Sequence, residues 1–172
     1  DAQVHPFETA AFDAVMSRFG VMFFDDPVAA FSNLRRAAKP NAKLAFACWR
    51  SPADNPMVAI PMQAAAPLLS APPPPPPSPD APGRFSFADP DRVRGILEKS
   101  GWRDIAIAPL DAPSPISLDE QMTISVELGT LGGLLRHEPE PVRARVRHAV
   151  RAAFEPHVVD GMIPMTAACW LV

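Results

Sequence analysis

The chain has 172 residues, of which 48% are hydrophobic and 20% charged, and these proportions predict a soluble globular protein with a sizeable core. Sixteen basic residues stand against nineteen acidic ones, without a long basic run, so the composition does not favour binding to nucleic acid. No uninterrupted apolar stretch reaches about 18 residues and no basic leader precedes one, which predicts no membrane span and a cytoplasmic location.

The first part of the chain has the pattern of a strand, a helix and a second strand. Phe12–Phe19 is an apolar run with little alternation, which predicts a central strand buried on both faces of a parallel sheet. Asp25 and Asp26 supply an N-cap and Pro27 suits the first helical position. The helix is expected to end at Pro40-Asn41, before a buried strand over Leu44–Trp49. The three elements form a βαβ unit with a right-handed crossover.

A proline-rich segment, residues 51–87, follows this unit. The density of prolines predicts that no regular core element forms anywhere in this segment. The consecutive run Pro72–Pro77 favours polyproline II and predicts an exposed connection over Ala71–Gly83. A short helix within Met57–Leu69 remains compatible with the pattern. The alternative is a docking motif for domains that bind proline-rich peptides.

Regular structure is predicted again after this segment. Asp89 is an N-cap for a helix over Pro90–Ser100 that Gly101 ends. The period-two stretch Trp102–Leu110 predicts a strand.

Two further helices and a strand are predicted in the last third of the chain. Ser117 and Glu120 have the spacing of a capping box, and the glycines Gly129, Gly132 and Gly133 are expected to end or interrupt that helix. The next helix, Pro139–Phe154, has an apolar stripe of valines, and its arginines Arg143, Arg147 and Arg151 are expected to form a solvated face. The last strand is predicted over Thr166–Val172.

Residues that could carry chemistry are few. The two cysteines, Cys48 and Cys169, lie in apolar runs and are expected to be buried, reduced thiols. The four histidines show no metal-ligand spacing, so no metal site is predicted. A nucleophile elbow, a P-loop and a G-x-G-x-x-G motif are all missing from the sequence, which gives no support to a hydrolase or a kinase.

Four segments nevertheless follow one another in an informative order: DAQVHPF, FDAVMSRFGVMFF, DPVAAFSNLRRAAKPNAKLAFACW and DPDRVRGILEKSGW. This succession resembles the class I S-adenosylmethionine (SAM)-dependent methyltransferases, in particular those of ubiquinone and menaquinone biosynthesis. In that family an acidic residue, a small residue and Gln follow the third strand, F-D-x-V forms the fourth, and a helix ending in L-x-x-x-L-K-P-G-G precedes the fifth. The resemblance covers Asp1 to about Leu110, and Thr166–Val172 matches the final strand.

The resemblance implies a Rossmann-like α/β sheet with an antiparallel final strand, in which the chain forms the C-terminal part of a single methyltransferase domain. Residues 51–87 and 113–165 would be insertions in that domain. The implied cofactor is SAM and the implied partner is a small-molecule methyl acceptor that offers an O, N or C nucleophile. The oligomeric state is not indicated by any feature of the sequence.

Site residues follow from the same resemblance. Asp1 would accept a hydrogen bond from the adenine amino group, and Ala2 and Gln3 would line the adenine edge. The methionine part of the cofactor would border the end of the first strand, at the three residues Ser17, Arg18 and Phe19.

The acceptor pocket would lie beside them. Its implied lining is Met22, Phe23, Trp49 and Arg50, with an ordinary core role as the alternative for Phe19, Met22 and Phe23. His5 is a weak candidate for a general base, against a simple turn residue ahead of Pro6.

Two departures from the family pattern matter. The glycine-rich loop and the acidic residue that binds the ribose would precede Asp1, so the sequence is interpreted as a truncated domain with an unpaired sheet edge, one that is expected to be inactive. Asn41-Ala42 stands where the family has a Gly-Gly turn. This replacement is compatible with the turn because Asn accepts a positive φ better than most residues. Two rival interpretations remain: a truncated Rossmann-fold dehydrogenase, and a non-catalytic module that presents the polyproline segment.

Overall fold

A computed structural model describes residues 1–75 and 78–172 of the chain. The chain divides into two compact units. The first unit contains residues 1–54, 78–111 and 168–172, and the second contains residues 55–75 and 112–167.

The first unit is built on a mixed sheet of four strands. The strands are β1 (Phe12–Arg18), β2 (Ala38–Trp49), β3 (Ala108–Pro113) and β6 (Thr166–Leu171), and the helices of this unit are α1 (Pro27–Ala37) and α3 (Pro90–Lys99). The strand order across the sheet is β1-β2-β6-β3. Strands β1 and β2 are parallel, whereas β6 is antiparallel to β2. The predicted βαβ unit and the antiparallel final strand are therefore both confirmed.

Helix α1 begins where its cap residues predict. The Asp26 side chain accepts a hydrogen bond from the N–H of Ala29 at 2.9 Å, and Pro27 is the first helical residue. The predicted end was wrong, because the helix ends at Ala37 and β2 already begins at Ala38. Pro40 and Asn41 lie instead in a bulge of β2, between the partners of Phe12 and Ala14. Asn41 has φ 64° there, which is the positive φ that Asn was expected to accept.

Strand β1 lies at the edge of the described sheet rather than at its centre. Met16 is 83% exposed, so the prediction of burial on both faces was wrong. The core of this unit lies on the other face, where Phe31 of α1, Phe46 of β2 and Val93 of α3 belong to one cluster. A continuous apolar run indicates that a strand can be buried. Which of its two faces is covered depends on the helices and strands that pack against it.

Helix α3 follows its prediction closely, and the segment after it does not. The Asp89 carboxylate accepts from the N–H of Asp91 at 2.9 Å, and Gly101 ends the helix with φ 82°. Trp102 is buried instead of beginning a strand, because its indole N–H donates to the carbonyl of Phe31 at 3.1 Å. Asp104 then adopts φ 55°, which interrupts extended backbone, so β3 begins only at Ala108.

The second unit is mainly helical. Its elements are α2 (Ile60–Ala65), β4 (Ile116–Ser117), α4 (Leu118–Thr123), a π-helical segment (Ile124–Leu128), α5 (Thr130–Leu135), α6 (Glu140–Phe154) and β5 (Met162–Ile163). Strands β4 and β5 form a two-stranded antiparallel sheet. The buried valines Val146 and Val150 of α6 pack in one cluster with Phe154 and Ile163.

Several local predictions hold in this unit. The Ser117–Glu120 capping box is present, and Gly129 ends the helix that continues from α4 through the π-helical segment. Three arginines of α6, those predicted for its solvated face, make ion pairs on its surface, such as Arg151 with Asp119 at 2.6 Å.

The proline-rich segment contains one departure from the prediction. Helix α2 forms within Met57–Leu69 as allowed, but Ala65 is fully buried, so a regular core element does occur here. Residues 72–75 are neither helix nor strand, and the remainder of the polyproline prediction, Pro76 and Pro77, lies outside the described residues.

Candidate functional site at the carboxyl ends of strands β1 and β2

Two parallel strands end at the same edge of the sheet. Arg18 is the last residue of β1 and Trp49 the last of β2, and the crevice outside the carboxyl ends of parallel strands is where open α/β sheets bind ligands. The next residue, Phe19, donates its N–H to the carbonyl of Ala47 at 3.0 Å. Its ring stacks on that of Trp49, with centroids 4.9 Å apart and planes 18° from parallel. The edge therefore has an aromatic wall.

The backbone at Phe19 is strained. Its φ is 60°, and a bulky residue with positive φ is a conformational outlier that costs on the order of 1–3 kcal/mol. Such outliers are concentrated at functional sites, where the surrounding structure maintains them. Here the hydrogen bond to Ala47 and the stack on Trp49 hold Phe19 in place, while Ser17, two residues earlier, is half-buried.

The N-terminal loop is fixed to the start of α1. The Asp1 carboxylate accepts from the backbone N–H of Gln3 at 2.9 Å and from its side-chain Nε2 at 3.2 Å. The Gln3 Oε1 atom in turn accepts from the N–H of Asp25 at 2.6 Å. Because α1 connects the carboxyl end of β1 to β2, this loop and the strand ends lie at the same edge. The structure thus brings the predicted adenine-side residues to the edge that carries Ser17–Phe19.

One residue that sequence reasoning missed anchors this loop. The Asn33 side chain, on α1, donates from Nδ2 to the carbonyl of Ala2 at 3.1 Å and to that of His5 at 3.0 Å. Its Oδ1 accepts from the Arg36 guanidinium at 2.7 Å. The only signal in the sequence is that Asn is a modest helix former whose side chain bonds readily to backbone groups.

The predicted acceptor-pocket residues have different surroundings. Met22 is 1% exposed and belongs to the core, where its sulfur accepts from the N–H of Trp49 at 3.4 Å. Its surroundings therefore agree with an ordinary core role, the alternative to lining a pocket. Phe23 is exposed. The assignment of Phe23 and Trp49 to a pocket stays a prediction.

The charge of Arg50 is already paired. Its guanidinium forms salt bridges with Asp54 at 2.5 Å and Asp111 at 2.8 Å. Hydrogen bonding to Asp54 raises the pKa of Arg50, while hydrogen bonds from Ser51 and Arg50 lower the pKa of Asp54. Arg50 therefore has less capacity for a ligand than the sequence suggested.

A second arginine, Arg84, reaches the same edge and was not predicted. Its guanidinium lies 5.6 Å from the centroid of the Trp49 ring. The backbone beside it is held on the turn after β1, since the Gly83 N–H donates to the carbonyl of Met22 at 3.0 Å and Ser86 Oγ donates to the same oxygen at 2.7 Å. The residue lies in the proline-rich segment, where no periodicity indicated its place in the fold.

His5, the weak candidate for a base, is exposed. Its ring packs against the edge of Phe7 with centroids 4.5 Å apart, and its carbonyl is bound by Asn33. A catalytic role for His5 stays a prediction. Residues 1–75 and 78–172 contain no cluster of His, Cys, Asp and Glu that could hold a metal ion.

Known proteins share features of this chain in sequence and in fold. Residues 1–46 match a family model described as a methyltransferase domain. The chain is similar to a candidate methyltransferase from Bacillus halodurans C-125, with 14% identity and a TM-score of 0.52 over 99% of this chain and 67% of that one. It is also similar to a candidate type II methyltransferase from Anaeromyxobacter dehalogenans, with 17% identity and a TM-score of 0.52 over 99% of this chain and 66% of that one.

The chain has the fold of a class I methyltransferase. Its mixed α/β sheet, with parallel β1 and β2 and antiparallel β6, confirms the predicted fold class. The chain spans about two thirds of the length of these two structures. No curated protein matches it, and the ubiquinone and menaquinone subtype receives no support from either match. None of the helices in the described part of this methyltransferase fold is long and apolar enough to cross a membrane.

Proposed function

We propose that this chain takes part in SAM-dependent methyl transfer to a small-molecule acceptor. One observation carries the proposal: the loop Asp1–Gln3 is fixed at the edge where β1 and β2 end. The match of residues 1–46 to a methyltransferase domain and the fold of the chain support it.

The residues of the loop fit the adenosine side of the cofactor. A carboxylate offers about four lone-pair sites, and in Asp1 two hydrogen bonds from Gln3 leave acceptor capacity for an exocyclic amine. Both ends of the Gln3 amide are used within the protein, so Gln3 positions Asp1. We assign Ser17, Arg18 and Phe19 to the border of the methionine part.

The acceptor side is lined by the aromatic wall. Phe19 and Trp49 offer stacked ring surfaces, which suit an apolar or planar acceptor. When bound, the cofactor supplies a methyl group on a sulfonium for in-line transfer to an O, N or C nucleophile. Much of the acceleration in such a reaction comes from orienting two reactants and excluding water, which are the tasks that these residues can perform.

The thiols favour a reducing compartment. Cys48 and Cys169 are free and buried. They lie on neighbouring strands, but on opposite faces of the sheet, because Cys169 pairs with Trp49, the residue next to Cys48, and successive residues of a strand alternate faces. Buried free thiols are typical of proteins from reducing compartments. We therefore propose the cytoplasm as the location of the reaction.

Titration with S-adenosylhomocysteine tests the proposed function. Saturable binding is expected for the unmodified chain, and Asp1→Asn is expected to weaken it about tenfold, because a charge-assisted hydrogen bond is replaced by a neutral one. Asp160→Asn is the matched control: Asp160 is exposed and has φ 50°, which Asn tolerates. Binding that is unaffected by Asp1→Asn would remove Asp1 from the site, and an undetectable affinity for the unmodified chain would refute the proposal.

A further inference from the structure

Arg84 differs from most arginines of this chain in how its charge is placed. Its guanidinium lies over the Trp49 ring, 5.6 Å from the centroid, and this contact leaves the N–H donors unused. In the described parts of the chain, no carboxylate or carbonyl oxygen accepts from them. Arg84 is exposed, and partial burial of its guanidinium lowers its pKa. A guanidinium without a protein acceptor can form charge-assisted hydrogen bonds with an anion that arrives from solution.

The Trp49 indole supplies a second unused donor at the same place. The other two tryptophans donate their indole N–H to backbone carbonyls: Trp102 to Phe31 at 3.1 Å and Trp170 to Ala88 at 2.8 Å. No described oxygen accepts from the indole N–H of Trp49. Two kinds of N–H donor, one of them cationic, are therefore available beside the ring stack of Phe19 and Trp49.

Arg50 serves as an internal comparison for Arg84. It too lies over a tryptophan, with its guanidinium 5.5 Å from the Trp170 centroid. The two carboxylates of Asp54 and Asp111 neutralise it, however. A guanidinium that the fold pairs twice stabilises structure, whereas the unpaired guanidinium of Arg84 is available for a ligand.

We propose that Arg84 binds a carboxylate of the methyl acceptor while Phe19 and Trp49 hold the planar body of that molecule. This inference rests on the proposed methyl transfer and gives the acceptor a class, an aromatic or otherwise planar carboxylic acid. Arginine suits a carboxylate because its planar fork donates two parallel hydrogen bonds. The hydrogen bonds of Gly83 and Ser86 to the Met22 carbonyl hold the backbone on both sides of Arg84 near the ring pair.

Binding of benzoate, compared with neutral benzamide, tests the inference. The readout is the indole N–H signal of Trp49 in two-dimensional NMR, which Trp49→Phe identifies by its disappearance. Benzoate is expected to shift this signal with saturation, and Arg84→Gln is expected to weaken benzoate at least about tenfold, the loss typical of a hydrogen bond to a charged group. Arg103→Gln is the matched control, because Arg103 is an exposed arginine outside the site, and it should change the affinity by less than about twofold.

Three outcomes of the benzoate measurement would overturn the inference. They are benzoate binding that is equal in Arg84→Gln, benzoate binding no tighter than benzamide, and no saturable shift of the Trp49 signal. Titration of Arg84→Gln with S-adenosylhomocysteine distinguishes the source of the carboxylate. An unchanged affinity is expected, and a loss equal to that for benzoate would overturn the acceptor assignment by giving the guanidinium to the cofactor. Failure of the unmodified chain to bind S-adenosylhomocysteine would instead refute the proposed function, and the benzoate measurement does not depend on it.

Discussion

Replacing Asn33 by Asp tests whether the N-terminal loop owes its position to one side chain. The substitution keeps the shape of the side chain and the oxygen that accepts from Arg36 at 2.7 Å. It replaces the Nδ2 donor with a carboxylate oxygen that faces the carbonyls of Ala2 and His5, now 3.1 and 3.0 Å away. Two hydrogen bonds therefore become two repulsive oxygen contacts.

The size of this effect follows from the two hydrogen bonds that the substitution removes. Each of them contributes about 1 kcal/mol, and the repulsion between oxygens adds to the destabilisation. We expect Asn33→Asp to favour release of residues 1–5 by about 2–3 kcal/mol. The affinity for S-adenosylhomocysteine should then fall, by up to about 30–150-fold if the released loop no longer binds.

Hydrogen exchange of the loop amides measures the release directly. The His5 N–H, which donates to the carbonyl of Asp1 at 3.0 Å, should exchange faster in Asn33→Asp, whereas amides within β2 should not change. Asn41→Asp adds the same charge at an exposed position with φ 64° and serves as the control. If the loop amides of Asn33→Asp stay protected and the ligand affinity is unaltered, Asn33 does not hold the loop and the reasoning is refuted.

Two further predictions concern packing and burial. A Cβ on Gly132 would lie 2.7 Å from the carbonyl carbon of Glu127, whereas a Cβ on Gly133 would have no heavy atom within 4 Å. Gly132→Ala should therefore destabilise the protein by about 1–3 kcal/mol, and Gly133→Ala should stabilise it by up to about 1 kcal/mol. Urea unfolding of both variants measures these changes, and equal effects would contradict the close contact at Gly132. Burial raises the pKa of Cys48 to about 12, above the value of about 8.5 for an unfolded thiol, so its contribution to stability is present below about pH 8.5 and is lost as the pH rises toward 12. Because the chain has no tyrosine, thiolate absorbance at about 240 nm can be followed at about pH 9.5. This absorbance should be low in the folded protein and rise when denaturant is added. High absorbance before denaturant is added would show that the Cys48 thiol is accessible and contradict the prediction.

The parts of the fold that the sequence predicted well are those set by neighbouring residues. Asp26 and Asp89 cap their helices, Ser117 forms its capping box, and Gly101 ends α3. Each of these signals involves residues within a few positions of one another, so a single sequence contains the whole interaction.

The predictions that were wrong depended on contacts between distant residues. Trp102 begins a period-two stretch, but its indole bonds to Phe31 and keeps the backbone out of the sheet. Met16 lies in an apolar run, but the covering helices pack on the opposite face of β1. Local pattern gives no account of either contact.

The same contrast between local signals and distant contacts explains which residues of the candidate site could be predicted. The motif DAQ and the strand end Ser17–Phe19 could be predicted because their order along the chain resembles a family. Arg84 could not, because it reaches Trp49 through a proline-rich segment without periodicity. Asn33 could not either, since its role depends on carbonyls of a loop far earlier in the chain.

Mapping of S-adenosylhomocysteine binding by NMR tests the central claim most directly. The claim is that the cofactor binds where the N-terminal loop and the ends of β1 and β2 share one edge. Titration of the labelled chain is predicted to shift the amide signals of residues 1–5 and 17–20 with a single saturation curve, and to leave those of α6 unchanged. Saturable shifts confined to the second unit, or no shifts at residues 1–5 and 17–20, would contradict the account.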